Sequence, residues 1–133
     1  MDAVPRGAMA GQGRAIVTIT EGRGADGYHV AMVGRLDVRS VPDLRLTLHR
    51  VIDGGAESIL LDLSDAEIGD STGLGMLVEC LQRARRAGAV LRVAVRDGRS
   101  ARLMRRARLG SVLVPAPTAG PAGVAAEPAV QAG

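Results

Sequence analysis

The chain has 133 residues, enough for one domain with a buried core, and 47% of them are hydrophobic. With one tyrosine (Tyr28) and no Phe or Trp, that core has to be built from Leu, Val, Ile, Met and Ala. All 17 basic residues are arginine, which excludes a phosphate-loop lysine, a Schiff-base lysine and the lysine of a receiver-type phosphoaspartate site.

The net charge of +3 is unevenly placed. Residues 1–82 hold 7 Arg against 12 Asp and Glu, a balance of −5, and residues 83–133 hold 10 Arg against 2, a balance of +8. Such polarity, with almost no aromatic side chain to stack on bases, points to an oriented protein partner and away from direct nucleic-acid binding.

Residues 1–13 are rich in Gly, Ala and Met without a period and are expected to be a disordered leader. They lack the apolar segment of a signal peptide, and no run in the chain approaches a membrane span. No membrane insertion and a cytoplasmic location are therefore expected. Ala15 to Thr20 predicts a first strand, Glu21 to Gly27 a glycine-rich hairpin loop, and Tyr28 to Gly34 a second strand.

The chain then turns through Arg35, Leu36 and Asp37 into a helix. Ser40 is its predicted N-cap, with Asp43 three residues on completing a capping-box pattern and Pro42 in the first turn. Leu44, Leu48, Val51 and Ile52 share one face, and Gly54-Gly55 stops the helix.

Ile59 to Leu63 is a short apolar run interrupted only by Asp62, the pattern of a strand buried on both faces of a mostly parallel sheet. A helix follows with Leu74, Leu77, Val78 and Leu81 as its predicted apolar stripe, ending at Gly88 after Arg83, Arg85 and Arg86. Cys80, the single cysteine, falls within this helix and reads as a buried inert thiol. Val90 to Val95 predicts a fourth strand, Ser100 to Arg108 a short basic helix ended by Gly110, and Ser111 to Val114 a last strand. From residue 115 the composition is that of a flexible Pro/Ala/Gly tail.

Between the central strand and its helix stands Asp70-Ser71-Thr72-Gly73. A helix start carries unpaired N–H groups and the positive end of the dipole, so a hydroxyl there is either a cap or an acceptor for an anionic group. Asp70 reads as a loop acid or as a group that orients the hydroxyl. Gly73 and Gly75 each cost about 1 kcal/mol in a helix against alanine, which suggests close approach of another backbone or a partner. His29 and His49 have no ligand-spaced acid or cysteine nearby in sequence, so neither metal nor acid–base catalysis is expected of them.

Gly34-Arg35-Leu36-Asp37, the buried strand and Asp70-Ser71-Thr72-Gly73-Leu74-Gly75 together resemble the STAS domain of bacterial anti-sigma-factor antagonists. Order and spacing match over roughly residues 15–114. The resemblance implies an α/β, STAS-like single domain over residues 14–114. Its fold would be a mixed, mostly parallel sheet of about five strands with helices packed against it.

The resemblance also implies a binding switch with no catalytic residue, cofactor or metal of its own. Ser71 is then the phosphoacceptor, with Thr72 beside it, and Asp37, Asp70, Ser71, Thr72, Gly73 and Gly75 form the partner surface. The implied partner is an anti-sigma factor that is itself an ATP-dependent serine kinase, with a serine phosphatase resetting the cycle. A STAS adaptor or scaffold subunit in a transporter or stress-signalling assembly, without a phospho-switch, is the alternative role.

Three departures stand out. Arg35 replaces an acid, Gly69 replaces a larger apolar residue, and the Pro/Ala/Gly composition of the tail leads us to expect the family's amphipathic C-terminal helix to be missing or frayed.

Overall fold

A computed structural model describes residues 17–24, 27–96 and 98–116. The leader, Ala15 and Ile16 of the expected first strand, and the tail from residue 117, where the closing helix is expected to be missing or frayed, lie outside the described residues. Five strands form one sheet in the sequential order β1 (Thr18–Gly24), β2 (Gly27–Leu36), β3 (Ser58–Ile68), β4 (Val90–Val95) and β5 (Leu113–Val114). The β1–β2 pair is antiparallel and the other three pairs are parallel. The connections between parallel strands are α1 (Val41–Asp53), α2 (Ser71–Arg86) and α3 (Arg99–Arg106).

One sheet face meets all three helices. Val30 and Met32 of β2, Ile59, Leu61 and Leu63 of β3, and Leu91, Val93 and Val95 of β4 form a single apolar cluster with Leu44, Leu48 and Ile52 of α1, Met76 and Leu77 of α2, and Met104 of α3. The other face leaves Val33 and Val90 about half exposed. As the composition requires, the core is aliphatic and sulfur-containing. Cys80 is fully buried in it, and burial pushes its thiol pKa up to about 12, which leaves it inert as expected.

The central strand is longer than its apolar run. Register explains why: Ala31 pairs with Asp62 but Val33 pairs with Asp65, so β3 carries one extra residue, a β-bulge. Asp62 stitches it. Its Oδ1 accepts the Ser64 N–H at 2.9 Å and the Ser64 hydroxyl, and its Oδ2 lies 3.3 Å from His29 Nε2. The extra residue shifts the side-chain alternation, so that Ala66 and Ile68 face the core while Asp65 and Glu67 face solvent.

Other boundaries also move. β1 and β2 extend into the expected hairpin loop, and Arg35 and Leu36 belong to β2. α2 buries Gly73, Met76, Leu77, Cys80 and Ala84, so its inner face is rotated from the predicted leucine stripe, leaving Leu74, Val78 and Leu81 on the flank. Small residues on the inner face let the helix lie close to the sheet. Gly88 ends it as predicted, at φ +77°, with the Ala89 N–H returning to the Ala84 carbonyl at 2.8 Å. α3 stops before Gly110, because Arg108 adopts φ +64°; Gly110–Val112 is a 3-10 turn, which leaves β5 two residues long.

Candidate functional site

The carboxyl ends of β2 and β3 lie side by side, Leu36 paired with Ile68, and both chains leave the sheet there into a helix. In an open α/β sheet this edge is where sites are usually built. Four backbone links fix the exit from β3. The Ile68 N–H donates to Ser100 Oγ at 3.1 Å, the Ile68 carbonyl accepts from Arg99 Nη1 at 2.6 Å, the Gly69 N–H donates to the Leu36 carbonyl at 2.8 Å, and the Gly69 carbonyl accepts from Arg35 Nη2 at 3.1 Å.

Asp70 is the N-cap of α2. Its backbone is extended (φ −157°, ψ −175°), and Oδ1 accepts the Thr72 and Gly73 N–H groups at 3.0 and 3.2 Å. Oδ2 accepts the Val38 N–H at 3.2 Å, so one carboxylate ties both helix entrances together. Partial desolvation pushes its pKa upward, but the N–H donors of Gly73, Val38 and Thr72, helped by the Arg35 charge, outweigh that and hold it below the ordinary aspartate value. The cap is thus Asp70, and Ser71 is freed from the role the sequence left open for it. Ser71 is the first helical residue, and it is exposed.

Asp37 and Gly73 turn inward. Asp37 is buried, with Oδ1 accepting from the Arg39 and Ser40 N–H groups at 2.9 and 3.3 Å and Oδ2 lying 3.3 Å from Arg35 Nε. Gly73 is buried against β2: a Cβ built there would sit 2.2 Å from the Leu36 carbonyl oxygen. The close backbone approach inferred from this glycine is made by its own chain. Gly75 is the opposite case, exposed and with nothing within 4 Å of a built Cβ. Ser71 and Gly75, at i and i+4, therefore present a nearly bare first turn of α2, with Thr72 half-buried beside them.

Two residues of this surface escaped the sequence. Val38 is 63% exposed, an apolar side chain held next to the Ser71 turn by the Asp70 bond to its N–H. Arg35 lies across Gly69 and bridges Glu67 Oε2 at 2.9 Å, the Gly69 carbonyl and Asp37. The Glu67 hydrogen bond is the chief reason its pKa is raised. A Cβ on Gly69 would fall 2.6 Å from Arg35 Nε, so the two departures noted at these positions are one feature: the guanidinium occupies the space a side chain at position 69 would take.

Elsewhere, each histidine faces one carboxylate that sequence spacing did not reveal, His29 with Asp62 and His49 with Glu79, both at 3.3 Å. Ser64 and His29 bond the same aspartate but not each other, so they do not form a serine–histidine pair. A cleft of about 720 Å³ lined by Arg23, Tyr28, Arg50 and Glu57 opens at the far end of the sheet, where β2 and β3 begin. No described helix is long and apolar enough to cross a membrane.

Comparison with known proteins places this architecture. The model of the STAS domain family matches residues 19–120, most of the chain, and the chain belongs to that family. A search of curated proteins returns no match. Among solved structures, an anti-sigma factor antagonist from Mycobacterium paratuberculosis superposes with a TM-score of 0.66 at 20% identity, covering 77% of this chain and 86% of that one. The anti-sigma factor antagonist SpoIIAA in its unphosphorylated form gives 0.59 at 15% identity, covering 68% of this chain and 80% of the other. The Bacillus cell fate determinant SpoIIAA in its phosphorylated form gives 0.55 at 17% identity, covering 68% and 83%. At these identities the likeness is one of fold.

Proposed function

We propose that this STAS-domain protein is an anti-sigma-factor antagonist: it binds an anti-sigma factor through the surface around Ser71 and is released when that partner, acting as a serine kinase, phosphorylates Ser71. The observation that carries the reading is the division of labour at the start of α2. Asp70 does the capping, so the Ser71 hydroxyl is exposed and uncommitted to any described hydrogen bond. In the transfer, Ser71 Oγ would take the γ-phosphoryl group of ATP held by the kinase, releasing ADP, and a phosphatase would restore the hydroxyl by hydrolysis. Nucleotide and catalytic groups belong to those partners.

The physical logic of the switch is local. A phosphate brings about −1.5 to −2 charges to the positive end of a helix, where it is tolerated by the fold. In an interface shaped around a neutral hydroxyl, a bare glycine turn and Val38, the same charge has to be desolvated, and the Asp70 carboxylate beside it adds repulsion.

Incubation with anti-sigma kinases and ATP, followed by phosphosite mapping by mass spectrometry, tests the acceptor, which should be Ser71. Calorimetric titration tests the switch. Ser71→Ala should bind the partner like the parent protein, whereas Ser71→Glu should bind about 30-fold to several-thousandfold more weakly, the effect of about 2–5 kcal/mol for an unpaired interfacial charge. Undiminished binding of Ser71→Glu would sink the charge-exclusion mechanism and favour an adaptor without a phospho-switch.

A further inference from the structure

α3 is the strongly charged surface that the Ser71 site does not use. Its eight residues include Arg99, Arg102, Arg105 and Arg106, and its apolar side is spent on the core through buried Ala101 and Met104. Arg99, Arg102 and Arg106, at i, i+3 and i+7, form an exposed stripe on the other side. Among the described residues, none of these three forms an ion pair; Arg99 instead donates to the Ile68 carbonyl. By contrast, Arg35, Arg45, Arg50, Arg83 and Arg96 each have a carboxylate partner. Like charges at helical spacing repel, so the stripe strains the free helix and an opposing acidic surface would relieve it.

Its placement gives the stripe a use. α3 begins at the switch: Arg99 and Ser100 bind the carbonyl and N–H of Ile68, three residues before Ser71. The acids at that end of β3 are already taken, Asp65 by Arg96 and Glu67 by Arg35, each at 2.9 Å. A protein seated on the Ser71 turn would therefore have an unneutralised arginine face at its edge.

We propose that the arginine stripe of α3 is a second docking surface, continuous with the Ser71 surface, for an acidic patch on the same protein partner. The identity of that partner rests on the switch reading; the surface itself rests on α3. An acidic partner suits the switch, since phosphate on Ser71 would then repel its surface as well as resist burial. Duplex nucleic acid fits less well, because α3 is only about 12 Å long and presents three stripe arginines to a rod whose charge continues well beyond it. Lipid fits poorly too, since the exposed side of α3 carries no apolar residue to insert.

The test uses a fluorescein-labelled peptide of alternating Glu and Ser, about 12 residues long, read by anisotropy at about 20 mM salt, where the screening length is long. The parent protein should bind it, and Arg102→Glu/Arg106→Glu should weaken binding by about tenfold or more. Arg85→Glu/Arg86→Glu, at the exposed end of α2, changes net charge equally and should weaken it by less than about twofold, with thermal melts confirming that both variants fold. Equal loss in the two variants would reduce the effect to net charge and overturn the proposal. So would tighter binding, at the same salt, to a duplex DNA of about 20 base pairs or to phosphatidylserine-containing vesicles. In the same assay Ser71→Glu should weaken the peptide several-fold. If it does not while the α3 dependence holds, the docking surface stands and its coupling to a phospho-switch falls.

Discussion

The starts of α1 and α2 place a serine in nearly the same setting and leave it with opposite chemistry. At α1 the serine is Ser40, buried, its hydroxyl donating to the Arg35 carbonyl at 2.7 Å and accepting the Asp37 N–H at 3.1 Å. It caps no helix N–H, and the expected capping box with Asp43 does not form. At α2 the acid preceding the serine takes the cap, and Ser71 stays outside. Neither serine caps its helix; Ser40 is structural because its buried hydroxyl joins the Arg35 carbonyl to the Asp37 N–H, and Ser71 is available because it is exposed and outside any described hydrogen bond. The two starts are also joined, because Asp70 reaches Val38 across the gap.

Substitutions that exchange these roles sharpen the contrast. The largest effect is expected for Gly73→Ala. The added methyl meets the Leu36 carbonyl, a backbone atom that cannot swing aside, so α2 has to lift from β2 at a cost of about 3 kcal/mol. A denaturant midpoint unchanged from the parent would show that α2 does not seat on Leu36. Ser40→Ala comes next: it strands a part-buried carbonyl and a buried N–H and should lower stability by about 1–3 kcal/mol in the same experiment.

Asp70→Ala should lower the melting temperature at neutral pH, and its pH profile identifies the cause. The folded-state pKa of Asp70 is depressed, so its contribution is complete above the unfolded value near 3.9 and is lost as pH falls through the folded value. Parent and variant should therefore differ by a constant amount from about pH 5 to 7 and converge in stronger acid. A gap that persists at low pH would mean the carboxylate charge is not what stabilises the entrance.

Gly75→Ala should raise stability by about 0.5–1 kcal/mol, because the position is helical and open, while weakening the partner complex by filling the bare turn. The smallest change belongs to Ser71→Ala, within about 0.5 kcal/mol of the parent, since no cap is lost. A larger loss would give Ser71 a structural role at the helix entrance, as Ser40 has at α1.

Much of this was legible beforehand. The 3.6-residue spacing of Leu44, Leu48, Val51 and Ile52 located α1, and the run around Leu61 located the central strand, because local periodicity reports burial directly. The inner face of α2 was not legible: leucines suggested one face, and the sheet selected the smaller residues Gly73, Cys80 and Ala84 for close approach. Nor was the full length of β3, since its second half alternates about a bulge held by Asp62, which bonds Ser64 two residues on and His29 across 33 positions of sequence.

By itself, then, the sequence determined the order of elements, an aliphatic core, the lack of lysine chemistry and the Asp70-Ser71 motif at a helix entrance, all of which depend on neighbours within a few residues. Tertiary structure alone decided that Asp70 and not Ser71 would cap α2, that Gly73 would serve packing while Gly75 stayed bare, and that Arg35 would lie over Gly69. These outcomes hang on contacts between residues more than thirty positions apart, such as Val38 with Asp70 and Arg35 with Gly69. Only the folded sheet, which sets the ends of β2 and β3 side by side, brings such pairs within hydrogen-bonding distance.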